Sequence, residues 1–191
     1  MAEFINLNET RRHDITFDKK GSYVVFFHNI SGKFTFNLAK SGVEVDIFGL
    51  FTGKNADEFA IETIQRHTAP SAVSNLFIKG VFDDSSRFNY QGLIRLEKEA
   101  QQSHAYQKNQ NLILSPKTFV ESKPYLEILA NDVFCTHGST TGKINEEQLF
   151  YLKSRGISEE NAERMIVDGF ISEIIDKIKE KVPDVDTKKL L

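Results

Sequence analysis

The chain contains no tryptophan and a single cysteine, Cys135, among 191 residues. One thiol cannot form an intramolecular disulfide, so the fold must be held by packing alone, and a reducing compartment suits it. The N-terminus carries Glu3 early and no long apolar run, so no secretory signal is expected. No segment approaches the ~20 consecutive apolar residues that span a bilayer, so no membrane association is expected and the cytoplasm is the expected location. There is no excess of basic charge either: the formal net charge is −3, and nucleic-acid binding would want a basic stripe. What is abundant is phenylalanine, with 16 copies against 5 tyrosines. Phenylalanine suits a half-buried pleated surface and favours strands. The remaining balance, 40% apolar and 27% charged, is that of a globular domain rather than a disordered chain.

The hydrophobic period changes once along the chain. From Asp14 to about Phe134 the apolar residues come in short, often alternating runs. Val43, Val45 and Ile47 share one face while Glu44 and Asp46 share the other. Phe34-Thr-Phe36-Asn-Leu38 repeats the pattern, and further strands are expected at Tyr23 to Phe27, Leu76 to Phe82, Gly92 to Leu96, Asn111 to Leu114 and Tyr125 to Ala130. Turn signals separate them at Lys20-Gly21-Ser22, Ser31-Gly32, Lys40-Ser41-Gly42, Gly53-Lys54-Asn55 and Asp83 to Ser86. Many short strands with frequent turns indicate a sandwich, a barrel or a solenoid.

After Gly142 the signals turn helical. Asn145 is a suitable N-cap for a helix over 146–155, with Glu146 and Glu147 in its first turn and Arg155-Gly156 as its stop. A second helix over 159–181 follows Ser158, with an apolar stripe at Ala162, Ile166, Phe170, Ile174 and Ile178 joined by Met165, Ile171 and Ile175. Pro183 ends it, and the tail from Asp184 to Leu191 is expected to fray. The chain therefore divides into a β core over 1–142 and a helical domain over 143–191.

Cys135-Thr-His137 is the one place where a thiol and an imidazole stand two residues apart. On a strand these share a face, and the pair suits zinc, iron or an iron–sulfur cluster. Two ligands do not complete a metal site, and a free cysteine is more often a buried structural residue; a partner would have to supply the rest. A hydrolytic Cys-His pair is disfavoured, since both side chains leave the strand in parallel. Gly138-Ser-Thr-Thr-Gly142 lacks the spacing of a phosphate loop and reads as a tight connector between the last strand and the first helix. His13, His28, His67 and His104 have no ligand partners in sequence. The amide cluster at Gln101, Gln102, Gln107, Asn109, Gln110 and Asn111 suits hydrogen bonding along a stack of strands, with a sugar- or peptide-binding face as the less favoured alternative.

A series of short segments goes further in combination. These are Ile47-Phe-Gly-Leu-Phe51, His67-Thr-Ala-Pro70, Lys79-Gly-Val-Phe-Asp-Asp84, Tyr90-Gln-Gly-Leu-Ile94, Gln107 to Ser115, Pro124 to Ile128, and above all Asn131 to Ile157. In their order and spacing they resemble the SufB/SufD family of iron–sulfur cluster assembly proteins, on its SufD-like side because Gly138 follows His137. The resemblance implies a mainly β fold, a right-handed parallel β-helix-like core with a C-terminal α-helical hairpin. It implies a non-enzymatic scaffold that pairs with a SufB-like subunit or with itself and docks a SufC-like ABC ATPase through its helices. It assigns Cys135 and His137 to a transient iron–sulfur cluster or iron at the shared interface. The ATPase-docking region would include Glu147, Phe150, Tyr151, Arg155, Ile166 and Phe170, and the dimer edge Tyr125, Glu127, Leu129 and Val133. Family members are usually longer, so a C-terminal fragment or a short variant is implied. Asn131 stands where an aspartate is common. The rival is a stand-alone metal- or carbohydrate-binding β-solenoid or cupin-like domain, which would gather several histidines and a carboxylate on neighbouring strands.

Overall fold

A computed structural model describes residues 2–187 and 190. Eleven strands and three helices follow in order: β1 (Glu3–Asn6), α1 (Leu7–Thr10), β2 (Asp14–Phe17), β3 (Gly21–His28), β4 (Gly32–Leu38), β5 (Val43–Gly53), β6 (Glu58–His67), β7 (Val73–Phe82), β8 (Arg87–Leu96), β9 (His104–Ile113), β10 (Phe119–Ile128), β11 (Phe134–Lys143), α2 (Glu146–Ser154) and α3 (Glu159–Lys181). From β2 onward successive strands alternate between two sheets. One has the order β1-β3-β5-β7-β9-β11 and the other β10-β8-β6-β4-β2. Every pairing is parallel. The chain therefore winds as a two-sheet parallel β-solenoid, the member of the three expected β architectures in which sequence neighbours lie in opposite sheets. Among the described residues no helix is long and apolar enough to cross a membrane.

Coil corners stack as well as strands. Asn29, Asn55 and Asp84 all adopt positive φ (49°, 55° and 53°) at one corner column. Asn and Asp tolerate the left-handed region better than other side-chain-bearing residues. Asp84 accepts the Asn55 amide at 2.9 Å, which ties one coil to the next.

Between the sheets, the early coils are filled by Phe17, Phe27, Phe34, Phe36, Phe51, Phe82 and Phe88, all buried in one cluster with Ile15, Val45 and Ile47. Phe51 packs against Phe88 at 4.7 Å and Phe88 against Phe82 at 4.8 Å, ring centroid to centroid. Seven of the sixteen phenylalanines thus fill the lumen. Leu7, on the short helix α1, is buried in the same cluster.

The helices form as their caps dictate. Asn145 accepts the amides of Glu147 and Gln148, and Ser158 accepts that of Asn161; Gly156, with φ of 84°, turns the chain between the two helices. The C-terminal half of α3 lies on the outer face of the first sheet, where Ile174, Ile178 and Val182 bury against Val24, Phe26, Phe48, Leu50 and Phe77. Lys79 reaches out from β7 and donates to the Phe170 carbonyl at 2.8 Å and to the Glu173 carboxylate.

Three expectations are corrected. Gly138 to Gly142 is no connector but the second half of β11, paired residue for residue with β9. Strands β1, β2 and β6 have no counterpart among the expected strands. The tail does not simply fray: Val185 and Leu190 pack onto the same apolar patch as α3. Lys188, Lys189 and Leu191 lie outside the described residues.

Candidate functional site

The last coil leaves the solenoid open. β11 has only β9 as a partner, and β10 only β8, so both present unpaired backbone groups along their free edges. Side chains alternate across a strand, and the register fixes which of them face the lumen. Ala105, Gln107, Asn109 and Asn111 of β9 are buried inside, and their partners on β11 are Cys135, His137, Ser139 and Thr141. On β10 the lumenal row includes Ser122, Leu126 and Ile128, aligned with buried Tyr90, Ile94 and Leu96. Leu126 and Ile128 remain 37% and 43% exposed, although their counterparts one coil earlier are sealed. Ser139 Oγ donates to Ser122 Oγ at 2.9 Å and ties the two edge strands together across the end.

Cys135 and His137 therefore sit next to each other in one row at this uncovered end, as the two-residue spacing suggested. Cys135 is half-buried beside Val133, against the apolar cluster of Ile94, Leu96, Ala100 and Ala105. That burial pushes its thiol up to about 11, so at neutral pH it is a protonated thiol rather than a ready thiolate. His137 is exposed. Among the described residues, no group of three or more His, Cys, Asp or Glu side chains is placed to hold a metal ion. Among those residues the cluster of several histidines and a carboxylate that a cupin-like site needs is not formed, and Cys135 and His137 by themselves offer two of the roughly four ligands of a closed site.

The four edge candidates divide. Tyr125 lies on the outer face of β10, 49% exposed, and Glu127 beside it receives Arg95 Nη1 at 3.2 Å. Leu129 follows the strand and is also 49% exposed. Val133 instead turns inward onto the apolar cluster beneath Cys135.

The helical candidates surround a groove of about 670 Å³ between α2, α3 and Lys79, lined by Glu147, Tyr151, Ile166 and Phe170. Phe150 projects beyond it at 75% exposure, and α2 contains no buried residue. Arg155 lies over the Tyr151 ring, 5.2 Å from its centroid. Lys79 Nζ stands 4.1 Å from the centroid of the Phe170 ring. Burial lowers the Lys79 pKa, and the bond to Glu173 opposes that shift.

Sequence reasoning anticipated the stacked amides of β9 but missed the polar part of the lumen around His67. Thr63, Gln65, His67 and Ser74, followed by Gln107, Asn109 and Asn111, are all buried in lumenal positions that the earlier coils fill mainly with apolar residues such as Phe34, Phe36, Val45 and Ile47. His67 is the last residue of β6, just before the bend at Ala69-Pro70. Its Nε2 meets Ser74 Oγ at 2.7 Å, and Ser74 Oγ also accepts from Gln65 Nε2 at 2.7 Å. Burial pushes the His67 imidazole from 6.5 down to about 4. Asn111 donates to Asn109 at 2.7 Å and, one coil on, to Thr141 at 3.2 Å. The amides thus bond along the stack, and burial rules out Gln107, Asn109 and Asn111 as a sugar- or peptide-binding face. Their signal was present in the sequence as polar residues at every second position of an otherwise strand-like segment.

The family described as SUF system FeS cluster assembly, SufBD core domain, matches residues 11–170. The iron-sulfur cluster assembly protein SufD of Escherichia coli is 38% identical over 103 residues, which is 54% of this chain and 24% of that protein. A SufBD family protein of Mycobacterium leprae, ML0594, is 35% identical over 152 residues, 75% of this chain and 38% of its own length. The chloroplastic protein ABCI7 of Arabidopsis thaliana is 40% identical over 97 residues, 51% of this chain and 20% of its own. The chain spans well under half of each of these relatives.

Proposed function

Because this chain belongs to the SufBD core-domain family of the SUF iron–sulfur cluster assembly system, we propose that it is a scaffold subunit of that machinery and not itself an enzyme. The observation that carries this reading is the juxtaposition of Cys135 and His137 in one lumenal row at the uncovered end of the solenoid. The free edges of β10 and β11 offer backbone donors and acceptors that a second chain can satisfy by continuing the sheets. The half-exposed Leu126, Ile128 and Leu129 supply apolar area to the same contact. The occupant is a SufB-like subunit or a second copy. Ligands from that chain complete a centre in which Cys135 supplies sulfur and His137 nitrogen to iron, the cargo of the system. Docking close to a metal or a positive group lowers the thiol pKa and releases the proton that burial now retains.

The core over 1–142 and the helical domain over 143–191 divide the work. The groove between α2 and α3, with exposed Phe150, Tyr151 and Met165 around it, receives a SufC-like ABC ATPase. Lys79 fastens that hairpin to β7, and β7 pairs with β9, which pairs with β11; nucleotide-driven motion of the ATPase has a short route to the site. The single thiol suits the reducing cytoplasm. Co-expression with a SufC-like ATPase tests the reading: the tagged chain should retain the ATPase through purification, and Phe150→Glu with Tyr151→Glu should release it. A chain with residues 145–181 intact that retains no such ATPase would sink the proposal.

A further inference from the structure

We infer that Gln107 is the residue that orients His137, by offering its side-chain carbonyl to one ring nitrogen so that the other faces the metal. The inference rests on the proposed role of His137 as an iron ligand. Gln107 and His137 are register partners on adjacent parallel strands and face the same lumen, which places their side chains on neighbouring rungs about 4.8 Å apart. Gln107 is only 1% exposed, and its Oε1 is buried without a protein partner among the described residues. The amide is not free to flip, because Nε2 donates to the Gly92 carbonyl at 3.4 Å; the reversed amide would set two acceptors against each other. Oε1 must therefore face elsewhere in the lumen.

Gly92 is part of this arrangement. A Cβ there would fall 2.4 Å from Gln107 Nε2 and 2.2 Å from the Tyr90 hydroxyl, so the missing side chain at position 92 is what admits the Gln107 amide. A buried carbonyl held by its own nitrogen and otherwise unpaired is costly. A neighbouring imidazole N–H is a donor of the right kind. Metal-bound histidines commonly donate their second ring N–H to a carbonyl or carboxylate, which fixes the tautomer and the ring plane. His137, exposed at the edge, lacks any other such neighbour in its row: Cys135 and Ser139 flank it on the strand and Gln107 lies beneath it.

The test reads the tautomer of His137 directly, by ¹⁵N chemical shifts of the ring at a pH where it is neutral. The full chain is measured alone and bound to the subunit it pairs with. Wild type should hold His137 largely in one tautomer in at least one of the two states. Gln107→Met, similar in volume but without the carbonyl, should move the ratio toward that of a free imidazole, and Gln107→Glu should restore the bias. Thermal unfolding of each variant separates loss of orientation from loss of fold. Iron affinity of the paired complex should fall about tenfold or more in Gln107→Met, the usual effect of removing an outer partner of a ligand. A tautomer ratio indifferent to Gln107→Met in both states overturns the inference. If instead the ratio responds but His137→Ala leaves cluster assembly unchanged, the ligand assignment fails while the positioning contact stands.

Discussion

Acidification should destabilise this protein in a way that one residue controls. His67 is fully buried, its Nε2 facing Ser74 Oγ at 2.7 Å. Ser74 already accepts from Gln65, which leaves its own hydrogen available to His67, and in the tautomer protonated at Nδ1 the Nε2 atom accepts it. Protonating the ring there sets two hydrogens against each other in a site that also lacks water's dielectric. With the folded pKa depressed from 6.5 to about 4, the unfolded chain binds a proton that the folded chain refuses throughout that interval. The stability held by neutral His67 is fully present above about pH 6.5 and is lost progressively as the pH falls toward 4, at about 1.4 kcal/mol per pH unit. The total is about 3 kcal/mol, a large fraction of an ordinary domain's stability. Urea unfolding between pH 4 and 7 measures it. Carboxylates titrate in the same range, so the comparison is with His67→Gln, which keeps a hydrogen-bonding group near Ser74 but cannot titrate. Wild-type stability minus that of the variant should rise by about 3 kcal/mol between pH 4 and pH 6.5, whatever the offset between the two curves. Parallel curves, or an NMR titration that places His67 near 6.5, would refute the reasoning.

Two further outcomes follow from the same structure. Lys79→Met removes a buried ammonium from the Phe170 carbonyl and the Glu173 carboxylate; since Glu173 is 42% exposed and can rehydrate, the loss is about 2 kcal/mol. Amide exchange should then accelerate roughly thirtyfold in the first half of α3 and in α2, while the second half, held by Ile174 and Ile178, changes less; uniform acceleration or none counts against the clamp. Cys135, with its thiol pushed up to about 11, should react with iodoacetamide at pH 8 roughly a hundredfold more slowly than an unhindered thiol, with a rate that keeps rising to about pH 11. A rate that levels off near pH 8.5 would show that the thiol is not held in apolar surroundings.

The parts of this fold that could be read from the chain are those in which local chemistry and final environment agree. Val43, Val45 and Ile47 alternate because one face of β5 really meets an apolar lumen, and Asn145 and Ser158 look like helix caps because each side-chain oxygen accepts a first-turn amide. β6 escaped because its inward row passes from Phe59 and Ile61 to Thr63, Gln65 and His67, so the alternation persists in space while its polarity contrast disappears. β11 escaped for a different reason. Its lumenal row of Cys135, His137, Ser139 and Thr141 lies at an uncovered end and need not be apolar, and its outer row includes Gly138 and Gly142. A Cβ at either glycine would meet nothing within 4 Å. Only the hydrogen-bond register with β9 makes it a strand, and register is a property of two segments some thirty residues apart. The corner column at Asn29, Asn55 and Asp84 carries that period in the sequence.

The same distribution of polarity connects the core to the site. A solenoid filled with phenylalanine throughout would end in an apolar plug, and a thiol and imidazole placed on it would have nothing but carbon beneath them. Here the aromatic filling stops at Phe82, Phe88 and Tyr90, and the next rungs of the first sheet carry Gln107, Asn109 and Asn111. Buried amides cost more than they return unless each is partnered. Asn109 and Asn111 meet that condition by bonding to each other and to Thr141, whereas Gln107 keeps one oxygen unspent. Its register partner is His137. The polar segment of β9 is thus placed beside the free edges of β10 and β11, where a second chain is proposed to close the solenoid.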